Sequence, residues 1–142
     1  MEVVLSNISS PEVLSLFSEH DDFLTAFLGD DGVYYTRYSA NENITGAWVA
    51  YCDDVSVGCA AYRVKSPGVG EIKRMFIRSE YRGQGTSKLL LFAVEEYARG
   101  HGNHTLHLST RITLEPAVTL YRRSGFVETF RSGLYIEMEK KL

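Results

Sequence analysis

The chain has only two cysteines and three prolines in 142 residues, no long apolar run and no surplus of positive charge. Crossing a bilayer as a helix takes ~20 consecutive apolar residues, and no stretch here approaches that length. Met1, Glu2 and Val3 lack the basic and apolar regions of a secretory signal, so the expected setting is cytoplasmic and away from membranes. A net charge of −3 and a pI near 5.8 argue against a nucleic-acid partner, because neutralising phosphates needs Lys and Arg in excess on one face. A local basic pocket for a small anion stays open. There are no repeats, low-complexity tracts or linkers, and 44% hydrophobic with 23% charged residues suits a sizeable core. One domain over residues 1–142 is expected.

The two cysteines flank "DDVSVG". If Asp53 and Asp54 form a hairpin turn, Cys52 faces Val55 and Cys59 faces Trp48, so the thiols do not meet and no disulfide is expected. Two buried or half-buried thiols are the simpler reading.

Periodicity then divides the rest of the chain. "EVVLSNI" is a short strand, and Ser10-Pro11-Glu12 signals a helix start, the helix running to about Phe27 with an interruption near His20-Asp21-Asp22 and ending at Gly29-Asp30-Asp31-Gly32. Residues 33–44, with Tyr34, Tyr35 and Tyr38, show no clear period. "TGAWVAYC", "VSVGCAAYRV" and "GEIKRMFI" read as three strands of an antiparallel meander. Leu89, Leu90, Ala93, Val94 and Tyr97 repeat at helical spacing up to Gly100. "HTLHLST" is a strand, "EPAVTLYRRSG" a short helix, and "FVETF" and "LYIEMEK" two closing strands.

Between the third of the meander strands and the long helix lies "EYRGQGTSKLLLF". A strand that passes through a glycine-containing turn into a helix leaves the first backbone N–H groups without intrahelical partners, and the helix dipole adds positive charge there. Gly83 and Gly85 let a phosphate approach the backbone, Ser87 can donate its hydroxyl, and Arg82 and Lys88 add charge. Taken alone, the stretch could equally be a sharp turn with solvated basic residues. A P-loop spacing is absent, and a dinucleotide fingerprint would need a small residue where Lys88 stands. A pyrophosphate of another cofactor survives both exclusions.

With "RGQGTS" supplying Arg82, Gly85 and Ser87, and "PAVTLYRRSGF" supplying Ala117, Leu120, Tyr121, Gly125 and Phe126, the sequence resembles the GNAT N-acetyltransferase superfamily. The resemblance covers about residues 47–142. It implies a mixed α/β (α+β) acyltransferase fold, whose central, mostly antiparallel sheet is flanked by helices and splayed between the strand ending near Ile77 and the one beginning near His104. It also implies acetyl-CoA as co-substrate and no metal. The pantetheine arm would pair with backbone groups of Met75, Phe76 and Ile77, and the pyrophosphate would lie on Arg82, Gly83, Gln84, Gly85, Thr86, Ser87 and Lys88. Seven residues before Tyr121, where the family often has Asn, stands Leu114.

The same resemblance supplies catalytic candidates. An amine with a pKa near ~10 must lose a proton before or during attack, and Glu71, eleven residues before Arg82, is the implied base, acting through water. Tyr121 is the implied acid for the CoA sulfur, and a backbone N–H near Met75 or Phe76 would meet the developing oxyanion. Without the resemblance, Tyr121 reads as a core tyrosine and Glu71 as a strand-end carboxylate paired with Lys73.

Cys52 and Cys59 lie away from these motifs, so direct attack in a ternary complex is expected rather than an acyl-enzyme. The expected acceptor is a primary amine of a small molecule, amino acid or peptide. A non-catalytic acyl-CoA-binding regulatory module, a longer acyl group and a homodimer stay open. His101, His104 and His107 do not read as a metal site, since His104 and His107 would fall on opposite faces of a strand. The pairs Asp21-Asp22 and Asp30-Asp31 read as loop and helix-end chemistry.

Overall fold

A computed structural model describes residues 1–29 and 43–142; Asp30-Asp31, Tyr34, Tyr35 and Tyr38 lie outside the described residues. Strand β1 (Glu2–Ser6) leads to helix α1 (Pro11–Leu28), and β2 (Ile44–Cys52), β3 (Val55–Ser66) and β4 (Val69–Ile77) follow. Helix α2 (Thr86–Gly100), β5 (Thr105–Arg111), α3 (Glu115–Arg123), β6 (Val127–Ser132) and β7 (Tyr135–Lys141) complete the order. These elements form one seven-stranded sheet in the order β1-β2-β3-β4-β5-β7-β6. Every neighbouring pair is antiparallel except β4 and β5, which are parallel and pair only at Val69–Thr105, Gly70–Leu106 and Glu71–His107. Beyond Glu71 the two strands part. The mixed α+β architecture and the splay agree with the sequence expectation.

Strands β2 and β3 read as nearly continuous apolar runs because helices cover both faces. On one face Trp48, Ala50, Val57, Ala60 and Tyr62 pack with Leu90, Leu91, Val94 and Ala98 of α2 and with Val118 and Tyr121 of α3. On the other, Ala47, Val49, Cys59 and Ala61 pack with Val13, Leu16 and Phe17 of α1. Alternate residues of the same strands thus serve two cores, as a period of two requires.

Helix α1 is not interrupted at His20-Asp21-Asp22. Ser10 caps its start by accepting from Val13 N at 3.4 Å, and Gly29 ends it at φ 62°. The polar triplet stays helical because tertiary contacts hold it: the His20 ring lies 5.5 Å from that of Phe76, and Asp21 pairs with Arg74. Local polarity is outweighed by packing.

The hairpin at Asp53-Asp54 has φ of 48° and 70° at its two central residues, the geometry that suits a two-residue connection between twisted strands. Cys52 faces Val55 as expected, but Cys59 faces Val49, not Trp48, because the register slips between Ala50 and Tyr51. Neither cysteine is in a disulfide. A second irregularity matters more for the site: between Cys59–Phe76 and Ala61–Lys73, the two residues Arg74 and Met75 oppose Ala60 alone. This is a bulge, and Arg74 occupies it at φ 57°.

Candidate active site

The end of β4 passes through a 3-10 turn, Ser79–Tyr81, and residues 82–85 into α2. Gly83 and Gly85 sit at φ 77° and 79°, a left-handed conformation that costs other L-residues roughly 1–2 kcal/mol. Gly85 starts α2, and no side chain caps it. The first bond of the helix runs from Leu89 N to Gly85 O at 3.3 Å, so the amides of Thr86, Ser87 and Lys88 precede any intrahelical acceptor. A Cβ added at Gly83 or Gly85 would meet nothing within 4 Å. The loop is a bare, donor-rich cradle with open space over it, and it fits a phosphate-bearing ligand.

Side chains around the cradle differ in what they offer. Arg82 donates from Nε to Ile77 O at 2.9 Å and lies over the Phe23 ring at 4.8 Å from its centroid, which fixes its charge beside the loop. Thr86 is buried with its hydroxyl toward Met1 Sδ, 4.0 Å away, leaving its amide to the loop. Gln84 is exposed and lies outside the cleft lining.

Two clefts open at the splay. One, of about 540 Å³, is lined by Met75, Phe76, Ile77, Arg82, Gly83, Gly85, Thr86, Ser87 and Lys88, and by Leu114, Pro116, Ala117 and Leu120 across from them. Among the described residues the β4 edge facing β5 is unpaired beyond Glu71, so its backbone groups can bond an extended ligand as a further strand would. Leu114 brings an apolar side chain to this cleft. The other cleft, of about 510 Å³, holds Glu71 and Tyr121 together with Arg63, Lys65, Lys73, Arg74 and Arg111. His20, Met75 and Ala117 line both clefts. The bulge at Arg74 and Met75 lies where they meet.

Glu71 is buried, and its carboxylate is held by Arg63 Nε at 2.7 Å, with Lys65 Nζ at 4.0 Å and His107 Nε2 at 3.5 Å. The ion partner is thus Arg63, directly across the β3–β4 ladder. Tyr121 is buried with its ring edge-on to Phe126 at 5.7 Å. The bulge is held from α1: Arg74 Nη1 pairs with Asp21 and lies 3.4 Å from His20 Nδ1, and the guanidinium sits 5.2 Å from the Phe17 centroid. Burial, with Arg74 beside it, holds His20 down at about 3, so the ring is neutral. Cys59 donates its thiol to Arg74 O at 3.3 Å, and burial pushes it up to about 12, which makes it inert.

The model of the Acetyltransferase (GNAT) family matches residues 13–126. The chain belongs to the GNAT acetyltransferase family. It is 38% identical over 116 residues to N-acetyltransferase 8 of Mus musculus, across 78% of this chain and 51% of that protein. It spans about half the length of the curated relatives it matches. Among solved structures, a Klebsiella pneumoniae protein assigned as an acyl-CoA N-acyltransferase superposes with a TM-score of 0.80 at 27% identity, over 99% of this chain and 97% of that one. The PaiA N-acetyltransferase of Thermoplasma acidophilum, in complex with coenzyme A, has the same fold: its TM-score is 0.78 at 17% identity, with both chains covered completely.

Within this GNAT frame the geometry brings Glu71 and Tyr121 to one cleft, and all the expected cofactor positions except Gln84 to the other. Sequence reasoning missed Arg63, Lys65, His107 and His20. His20 carried a signal, since it continues the stripe of Val13, Leu16, Phe17 and Leu24 at helical spacing. His107 carried none, because its place beside Glu71 depends on the parallel pairing of β4 and β5. His104 precedes β5 and lies 2.9 Å from Thr105 Oγ1, and His101 stacks on Tyr97 at 3.9 Å. Among the described residues no group of three or more metal-ligating side chains converges, and no helix is long and apolar enough to cross a membrane.

Proposed function

We propose that the chain is an acetyl-CoA-dependent N-acetyltransferase that transfers the acetyl group to a primary amine of a small molecule, amino acid or peptide by direct attack in a ternary complex. The observation that carries this reading is the meeting of two differently furnished clefts at Met75 and Ala117: one has the bare glycine cradle, the other has Glu71 and Tyr121. When bound, acetyl-CoA supplies an activated acyl group as a thioester.

The chain supplies the rest. Amides of Thr86, Ser87 and Lys88, with the charges of Arg82 and Lys88, hold the phosphates, and the open β4 edge at Met75, Phe76 and Ile77 lays the arm toward Tyr121. Glu71, paired with Arg63, takes the proton of the amine through water. A backbone N–H of Met75 or Phe76, beside the bulge, donates to the oxygen where negative charge develops. Tyr121 gives its proton to the departing sulfur. The buried, inert Cys59 supports transfer without an acyl-enzyme.

The test is acetyl-CoA binding by calorimetry, with acetyl-CoA-dependent thiol release measured across amines, amino acids and peptides. Binding with turnover on an amine supports the reading. Binding without turnover on any amine points to a regulatory acyl-CoA module, and no binding removes both.

A further inference from the structure

Resting on the acetyltransferase reading, we infer that His107 is a proton relay behind Glu71: its Nε2 takes the proton that Glu71 has drawn from the amine and hands it to Glu137. Nδ1 keeps its hydrogen on Glu139 throughout. His107 lines neither cleft, so it acts through Glu71 rather than on a substrate. The need for an exit follows from the balance of the reaction. An ammonium acceptor gains a bond to the acetyl carbon and sheds two protons, while the carbon–sulfur bond breaks and its electron pair leaves on sulfur. One of those protons replaces the one that Tyr121 gives to the sulfur. The other is surplus and reaches Glu71, whose side chain is 8% exposed and faces the reacting groups.

Sheet register sets the path. Arg63 pairs with Glu71, Glu71 with His107 and His107 with Glu139, so these side chains form a row on one face across β3, β4, β5 and β7. Arg63 Nε holds Glu71 Oε1 at 2.7 Å, and the other oxygen, Oε2, lies 3.5 Å from His107 Nε2. Contacts of this length in a ligand-free site tighten in the substrate complex. On the far side of Nε2, Glu137 Oε1 is 3.1 Å away, and the Glu137 side chain is 23% exposed against 3% for His107. The ring thus carries a proton two strands away from β4, to a carboxylate that water reaches.

The ring is furnished for a proton that comes and goes at one nitrogen. Nδ1 faces the Glu139 carboxylate at 3.4 Å, an acceptor that keeps the hydrogen there. Nε2 faces both kinds of partner: Lys65 Nζ, a donor, at 3.2 Å, and the carboxylates of Glu137 and Glu71. Bare, it accepts from Lys65. Protonated, it donates to a carboxylate, and Lys65 retains Glu137 at 3.7 Å and Glu71 at 4.0 Å as ion partners. A buried nitrogen without a partner in one of its two states would resist the transfer. Among the described residues the charged groups facing the ring are Lys65 from β3, Glu71 from β4, and Glu137 and Glu139 from β7.

The test measures thiol release at saturating acetyl-CoA and saturating amine, with the fastest acceptor among the primary amines surveyed. It is run on the native chain, His107→Gln and Glu137→Gln in rising concentrations of HEPES, a tertiary amine that forms no stable amide, at fixed pH and ionic strength. Both substitutions leave Arg63 and its bond to Glu71 in place. The native rate should not depend on buffer concentration. His107→Gln should lower kcat by about tenfold or more, with kcat/KM for the amine and acetyl-CoA affinity by calorimetry changing much less. HEPES should restore part of the loss, and the solvent deuterium isotope effect on kcat should exceed the native one. Glu137→Gln should show the same pattern at smaller size. As a readout apart from activity, nitrogen NMR of the native ring, assigned by the signal missing in His107→Gln, should show hydrogen on Nδ1 and a bare Nε2.

A native kcat in His107→Gln, or a loss that buffer does not relieve and heavy water does not deepen, would overturn the relay and leave the acetyltransferase reading standing. So would a resting ring with its hydrogen on Nε2. Failure of every amine despite acetyl-CoA binding sinks both readings. Should His107→Gln fail to fold, Glu137→Gln, which keeps the ring, decides by the same buffer and isotope dependence.

Discussion

Tyr121 and Glu71 reach one cleft from different elements, Tyr121 from α3 and Glu71 from the last paired position of β4 before the splay. Each therefore makes its own prediction. Tyr121→Phe keeps the ring and its edge contact with Phe126 and removes the one proton the residue can give. Turnover should fall by about 10², the low end of what a positioned acid contributes, because a thiolate leaves fairly well unaided. Acetyl-CoA affinity, measured by calorimetry on the same preparations, should not change; wild-type turnover in the variant would make Tyr121 a packing residue. Glu71→Gln should cost most at moderate pH and progressively less toward the amine pKa of ~10, where the neutral amine is abundant. A loss independent of pH would reassign Glu71 to positioning. Both residues were legible from the motifs that resemble the family, whereas the partner of Glu71 was not. Same-face spacing along β4 suggested Lys73, but the ladder to β3 supplies Arg63.

At the scale of elements, the contact of α1 with β4 decides the shape of the site, and it was the least legible part. Sequence periodicity located both, yet the polar triplet at His20 read as a break, because nothing local announces that Arg74 will occupy a bulge and need a partner. Asp21 pairs with Arg74, Arg78 Nη2 reaches Glu19 at 2.6 Å, and His20 fills the space over Phe76. Arg74, beside His20, further disfavours its charged form. A buried histidine held near 3, against an ordinary 6.5, takes up a proton more readily in the unfolded chain. Its contribution to stability is full above pH 6.5 and is lost as pH falls toward 3, at about 1.4 kcal/mol per unit. Asparagine cannot take up that proton, so His20→Asn should be less stable at neutral pH but flatter in its acid limb. Urea midpoints between pH 7 and pH 4 provide the check. Parallel slopes for the two proteins would mean that His20 is already hydrated or charged in the folded state.

At the scale of the molecule, the sheet is continuous from β1 to β4 and again from β5 to β6, and three paired positions join the halves. The splay between these halves could be anticipated from the family resemblance; the order of the two closing strands and the exact length of the β4–β5 contact could not, since the latter depends on where a bulge turns β4 aside. A ligand laid along the open edge of β4, with its phosphates on the start of α2, would tie the halves together and bind only the folded chain. At a hundred times its dissociation constant, acetyl-CoA should then add about 2.7 kcal/mol to stability. With an unfolding entropy of about 2.1 cal/mol/K per residue, a 142-residue chain should gain roughly 9 °C in Tm. Gly85→Val tests where that gain originates. At φ 79° the valine is strained and lowers the Tm of the ligand-free protein, while its side chain meets no protein atom within 4 Å of the added Cβ. The informative quantity is therefore the ligand-induced shift measured against each protein's own starting point. If the phosphates lie on this loop, the valine occupies their space and the shift at the same acetyl-CoA concentration should shrink to a small fraction of the wild-type value. An undiminished shift in a folded Gly85→Val protein would move the phosphates off the glycine cradle.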